Sequence, residues 1–295
     1  MSDRSPRTTD MSSFRMITVA SDGSPGAKTA VERAAQLAAQ HGAGLCLLQA
    51  CDPGTPHSSG AALDERVVTL RERLAGSASL LARRLGLQVE SVVDIGPARV
   101  VIGEHIQSQK PSLLVLGSRF DPATAGLGGT ALKVLRAPAC PVLVVRTSDT
   151  RPYRNILSAV DLRDGSVRAA VAALALFPQA HHHLLYAVAP ALDSSLEAGG
   201  VDSAQVQALH ESMHRHAERE LSLLAQGLSA KSMYAVGAEV AADVPARAVL
   251  VGAAALPADC VVVGHHDAAA IGQTELGSMA LHVLQFIPGD VLVVP

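Results

Sequence analysis

One stretch occurs twice in the sequence, and this duplication restricts the possible folds more than any other feature. The first copy, Leu113 to Arg146, is an apolar run ending in Gly117, a small-residue loop and Gly128-Gly129-Thr130-Ala131. Val134-Leu135 and Pro141-Val142-Leu143-Val144-Val145 complete it. The second copy, Val261 to Pro295, repeats the order with Gly264, Gly277-Ser278-Met279-Ala280, Val283-Leu284 and Val291-Leu292-Val293-Val294. Each copy reads as buried strand, glycine-bearing loop, short helix and buried strand. In α/β proteins such a loop approaches phosphates, because backbone N–H groups face the anion and glycine keeps Cβ atoms out of its way.

The remainder of the chain follows the same repeat. Met16 to Ala20 is a short apolar strand leading to Ser21-Asp22-Gly23-Ser24-Pro25, where Asp22 or Ser24 caps a helix that Gly42 stops. Inward positions of that helix are Ala27, Ala30, Val31, Ala34, Leu37 and Ala38. A strand at Leu45 to Ala50, a long amphipathic helix carrying Val67, Leu70, Leu74, Ala78, Leu81 and Leu85, a strand at Val89 to Val93 and a helix from Gly96-Pro97 to about Gln107 follow. The order restarts after Ser148 to Tyr153: strand Ile156 to Val160, a helix around Val167 to Ala175, strand His182 to Val188, a polar loop from Asp193 to Val201 and a long helix Ser203 to Gln226. A strand at Ser232 to Val236, helix Pro245 to Ala255 and strand Val261 to Gly264 complete it. Alternating strands and helices with unbroken apolar strands predict an α/β fold, doubly wound around a mainly parallel sheet. The expected boundaries are a disordered tail over 1–13, domains over 14–147 and 154–295, and a linker over 148–153. Asp22 and Asp161 are 139 positions apart and Val142 and Val291 are 149 apart, so the second copy is longer in its middle.

Composition excludes several classes. A net charge of −3 gives no reason to expect nucleic acid or an acidic membrane surface as partner. Aromatic residues are 2% of the chain and Trp is absent, which argues against single-strand stacking platforms. No apolar run approaches the length of a membrane span, and the polar start lacks the apolar segment of a secretory signal. Cys46, Cys51, Cys140 and Cys260 form no Cys-x-x-Cys pair, which suggests a reducing compartment. A cytoplasmic protein is the expectation.

These residues resemble universal stress protein domains. Both halves have an opening strand ending in Asp (Val19-Ala20-Ser21-Asp22-Gly23-Ser24; Ser158-Ala159-Val160-Asp161). Both also have a late glycine pattern followed by a short helix and an apolar strand. The resemblance implies a five-stranded sheet between helices in each half, and binding of ATP or AMP, with Mg²⁺, by those members that keep the loop. It assigns nucleoside contact to Asp22 and Asp161. Phosphate contact falls to Gly117, Gly128 and their neighbours Gly129 and Thr130 in one half, and to Gly264, Gly277 and Ser278 in the other, where His265 lies in the same loop and is a candidate ligand contact. It also implies that the last strands pair across a two-fold, here within one chain as a pseudo-dimer. A homodimer and an unidentified protein partner are further expectations.

Both copies depart from the family pattern. In the first, Phe120 replaces the second glycine, Gly129 stands at the Ser/Thr position, and the loop is two residues shorter than in the second. Thr130 supplies a hydroxyl only if the helix start shifts. In the second, Asp267 replaces the second glycine, and a carboxylate about 4 Å from a phosphate charge costs on the order of 4 kcal/mol unless Mg²⁺ bridges them. The second half, with its full-length loop, is the better candidate.

Three functions are weighed: a nucleotide-binding signalling module, a nucleotide-independent adaptor, and a slow nucleotide hydrolase. No catalytic residues are assigned, because neither Ser24 nor Ser278 has an evident His partner in the sequence. His210 and His214 share a helix face with zinc-like spacing, but no further ligand completes a set, so no metal site is assigned. His265 and His266 lie in the second loop, in position to contact a ligand or tune it with pH.

Overall fold

The computed structural model describes residues 14–54, 60–118, 127–188, 202–265 and 276–295. The first half contains β1 (Met16–Ala20), α1 (Pro25–His41), β2 (Gly44–Cys51), α2 (Gly60–Leu85), β3 (Val89–Ile95), α3 (Ala98–Gln109), β4 (Leu113–Gly117), α4 (Gly129–Leu135) and β5 (Val142–Val145). The second repeats it with β6 (Asn155–Ala159), α5 (Asp164–Leu176), β7 (His181–Ala187), α6 (Ser203–Ser229), β8 (Gly237–Ala241), α7 (Pro245–Ala255), β9 (Cys260–Gly264), α8 (Ser278–Phe286) and β10 (Asp290–Val294).

All ten strands form one sheet in the order β3-β2-β1-β4-β5-β10-β9-β6-β7-β8. Neighbours within each half are parallel, and the two halves join where β5 and β10 pair antiparallel, with Leu143 opposite Leu292. This is the expected pseudo-dimer around an internal two-fold. It hides two apolar strands that would otherwise be open edges. The outermost strands carry Glu90 and Asp94 on one side and Glu239 on the other, charges that discourage edge pairing.

Because side chains alternate across the sheet, the joint is buried on both faces. Leu143 and Leu292 belong to one core under α1 and α5, whereas Val142, Val144, Val291 and Val293 belong to a second core under α3, α4, α7 and α8. Each core draws residues from both halves. A third cluster, under α6, belongs to the second half alone.

Helix ends follow the sequence signals. Ser24 caps α1 by accepting from the N–H of Ala27 at 3.2 Å, Pro25 opens the helix, and Gly42 ends it at φ 60°. The completely buried Ala30, Ala34, Ala35 and Ala38 let α1 lie close on the sheet.

One expected strand is displaced. Residues 232–234 form a bend, 235–236 are irregular, and β8 begins at Gly237. The Ser229 hydroxyl accepts from the N–H of Val236 at 2.8 Å and the Ser232 N–H bonds back to the Ser229 carbonyl, which holds this stretch in a turn. Gly237 then pairs with His183, where a Cβ would lie 2.5 Å from the imidazole Nδ1. The expected tail over 1–13 and the polar loop at Asp193 to Val201 lie outside the described residues.

Candidate functional site

β6 lies between β7, which follows it in sequence, and β9, reached by a crossover to the other side. Chains leaving β6 and β9 therefore diverge over opposite faces and leave a crevice at their C-terminal ends, the usual ligand position in open α/β sheets. A cleft of about 970 Å³ opens there. Asp161, Gly264, His265, Gly277 and Ser278 all line it.

Asp161 is held in a turn. Its Oδ1 accepts from the N–H of Arg163 at 3.1 Å and from the Ser166 hydroxyl at 2.6 Å, while Oδ2 has Arg163 Nε at 3.8 Å. The turn requires Leu162 at φ 62°, a left-handed conformation that Gly23 supplies in the first half at φ 78°. Asp22 makes the same turn, accepting from the N–H of Ser24 at 2.9 Å. Burial pushes the Asp22 carboxyl up, but the Ser24 hydroxyl and backbone hydrogen bonds outweigh it and hold the group below its ordinary value.

On the opposite wall Gly277 is the N-cap of α8 and contributes no side-chain cap. The first N–H groups of α8 thus lack intrahelical partners, next to the Ser278 hydroxyl. In the first half the corresponding helix, α4, has 7 residues against 9 in α8, and Gly129 holds the place of Ser278. Thr130 is the second residue of α4 and exposed, so the helix start has not shifted to put its hydroxyl at that place.

Gly117 and Gly264 have a packing role that the sequence does not display. A Cβ on Gly117 would lie 2.5 Å from the carbonyl oxygen of Gly26 on α1, and one on Gly264 would lie 3.2 Å from Gly165 on α5. Close approach at these glycines is between helix and strand. His265 lines the cleft, yet its Nε2 lies 3.1 Å from the Arg136 carbonyl in the other half. A carbonyl only accepts, so Nε2 carries the proton. Phe120, His266 and Asp267 lie outside the described residues.

Sequence reasoning missed Ser166, Arg168 and His282, which also line the cleft. The Ser166 hydroxyl secures the Asp161 carboxylate, while α5 starts after Arg163 with no side-chain cap. Among the described residues no three His, Cys, Asp or Glu side chains gather as a metal site; His214 faces Glu218 at 3.4 Å. All four cysteines are free and buried, and no described helix is long and apolar enough to cross a membrane.

The sequence matches the universal stress protein family twice, over residues 13–146 and 152–295. The chain belongs to the universal stress protein family. It is a tandem member with two domains in one sheet. A universal stress protein from Archaeoglobus fulgidus DSM 4304 has a similar fold, with TM-score 0.74 and 17% identity over 95% of this chain and 98% of that one. A functionally unknown protein from Pseudomonas aeruginosa PAO1 has TM-score 0.58 and 20% identity over 96% and 93%. A universal stress protein solved in complex with cAMP is 25% identical over 46% of this chain and 99% of its own, with TM-score 0.36. No curated protein sequence matches this chain.

Proposed function

We propose that this tandem universal stress protein is a binding and signalling module whose second half holds an adenine nucleotide, ATP or AMP with Mg²⁺. The observation that carries this reading is the single cleft of about 970 Å³ that gathers Asp161 and the start of α8 on facing walls. Asp161 Oδ2 is left to accept from a ribose hydroxyl. The open N–H groups of α8, the Ser278 hydroxyl and the Arg168 guanidinium suit phosphate oxygens. The first half suits a nucleotide less, because α4 is short and begins with Gly129. Binding, not turnover, is the proposed activity. Since β5 and β10 already pair within the chain, a homodimer needs another surface.

The second reading, a nucleotide-independent adaptor, is favoured by Gly129 and by the packing use of Gly117. Mass spectrometry of nucleotides released from the purified protein, followed by calorimetric titration with ATP and AMP, separates the two. The expected result is saturable binding, about tenfold weaker in Asp161→Ala through loss of a hydrogen bond to a charged group and nearly unchanged in Asp22→Ala. No saturable binding of either nucleotide would favour the adaptor.

A further inference from the structure

A second cavity, of about 700 Å³, lies in the first half between α1 and α2 and over β2, and the nucleotide reading makes no use of it. The internal repeat supplies a built-in comparison. Ala20 pairs with Leu48 and Ala159 with Leu185, which sets Gln49 against Tyr186 and Leu47 against Leu184. The buried series Leu74, Ala78, Leu81 on α2 matches Leu221, Ala225, Leu228 on α6, and so sets Ser77 against Leu224. Along the opening turn and first helix, Gly23 corresponds to Leu162 and Glu32 to Val171. In the second half Leu162, Val171, Tyr186 and Leu224 pack on the third core and fill the space. In the first half Gly23, Glu32, Gln49 and Ser77 stand there and line an open crevice.

The floor of the crevice is apolar, formed by Val31, Leu47, Leu74 and Leu81, while Lys28, Arg73 and Arg84 stand around it. Arg84 is paired with Glu32 at 2.5 Å. Among the described residues neither Lys28 nor Arg73 has a carboxylate within ion-pair distance. Arg73 leans over the place where Gly23 lacks a Cβ, with its Nη2 3.4 Å from the Gln49 side-chain oxygen. Two cations without a carboxylate partner among the described residues, above an aliphatic floor, complement one kind of small molecule. We infer that this crevice binds an organic carboxylate with an aliphatic body, the carboxylate held by Arg73 and Lys28 and the chain lying on Leu47, Leu74 and Leu81. An aliphatic chain there fills the space that Leu224 and Tyr186 fill in the other half and lies against apolar side chains instead of water. The guanidinium fork of Arg73 matches a carboxylate.

Calorimetry on the full chain tests this with decanoate, with decanol (body without charge) and with acetate (charge without body). Decanoate should saturate a single site, with decanol and acetate about tenfold weaker or worse, since each forfeits either the charged hydrogen bonds or the apolar contact. Arg73→Gln should weaken decanoate about tenfold. Ser77→Leu, which installs the second half's residue, should abolish binding and raise Tm because it fills space. Absence of saturable decanoate binding, binding unchanged in both variants, or a lowered Tm in Ser77→Leu would each overturn the inference.

Discussion

The Tyr153 hydroxyl donates to the Asp290 carboxylate at a point where neither side chain is open to solvent, and this bond ties the inter-domain link to the last strand. The same carboxylate accepts from the N–H groups of Arg146 and Thr147 at 2.8 and 3.0 Å and from the Thr147 hydroxyl at 3.1 Å. Arg33, reaching in from α1, lies 4.0 Å over the Tyr153 ring with its Nε 3.9 Å from Asp290. Its remaining nitrogens donate to the carbonyls of Asp149 and Arg151. Arg146 donates to the carbonyls of Leu284 and Ile287 at the end of α8. The pseudo-dimer is thus fastened by β5–β10 pairing and by a buried polar cluster on one side of it. The position related to Asp290 by the repeat is Pro141, so the cluster has no symmetric copy.

Asp290→Ala should be strongly destabilising. It leaves the buried Arg33 charge uncompensated and several donors without an acceptor, which costs about 3–5 kcal/mol. Urea denaturation followed by circular dichroism should show a lower midpoint, with both halves affected because each core spans the joint. Tyr153→Phe removes one bond to a charged group and should cost about 1.5–3 kcal/mol. An Asp290→Ala midpoint equal to the parent's would mean that the cluster contributes nothing to stability.

Stability should fall at alkaline pH. Burial raises the Tyr153 phenol well above its ordinary value, and the Asp290 charge adds to this. Burial likewise pushes the Cys46 and Cys140 thiols up to about 11. A group whose folded value is raised contributes its full stability below the unfolded value and loses it as pH rises towards the folded one. The urea midpoint, measured with reductant present, should therefore decline from about pH 9, where unfolded thiols begin to ionise, and more steeply above about pH 10. Tyr153→Phe should flatten the part above about pH 10, and a slope unchanged in that variant would refute the assignment.

Gly117→Ala and Gly264→Ala should differ. In the first, the new methyl meets backbone atoms of Gly26 at 2.5 Å, so α1 must lift from the sheet. In the second, the contact with Gly165 is 3.2 Å, and a shift of a few tenths of an ångström relieves it. Overpacking of this kind costs about 1–3 kcal/mol, and Gly117→Ala should lie at the upper end and Gly264→Ala below it. Equal Tm losses would show that the two helix–strand contacts are equally tight.

The parts of the fold legible in the sequence were those set by local pattern. Unbroken apolar runs marked the strands, and the duplicated Val-Leu-Val-Val segment identified the pair that joins the halves. Misplacement of β8 had a local cause: Gly237 looks like a strand terminator, whereas its missing Cβ makes room for His183 across the sheet. Arg33 was hidden for a different reason. It lies among the alanines of an amphipathic helix, and its partners are more than a hundred residues away, so no spacing reveals it. Of the candidate site, Asp161 and the start of α8 stand out in the sequence because short motifs carry them, and both line one cleft. The packing contact of Gly117 was not legible, because a glycine needed for backbone packing looks the same in a sequence as one needed for a phosphate.

Ser278 and Gly129 occupy equivalent places, and exchanging each for the other isolates what the hydroxyl contributes while keeping the chain intact. Ser278→Gly should weaken ATP binding about tenfold by removing a hydrogen bond to a charged phosphate and loosening the first turn of α8. Adenosine, which has no phosphate, should be little affected, and this contrast distinguishes loss of a phosphate contact from general loosening of the cleft. Gly129→Ser should not create a second site, because α4 has only 7 residues and the loop before it is two residues shorter than its counterpart. Calorimetric stoichiometry should remain one nucleotide per chain. If Gly129→Ser raised it to two, the hydroxyl alone would decide binding, and the assignment of the site to the second half by loop length and helix length would be wrong.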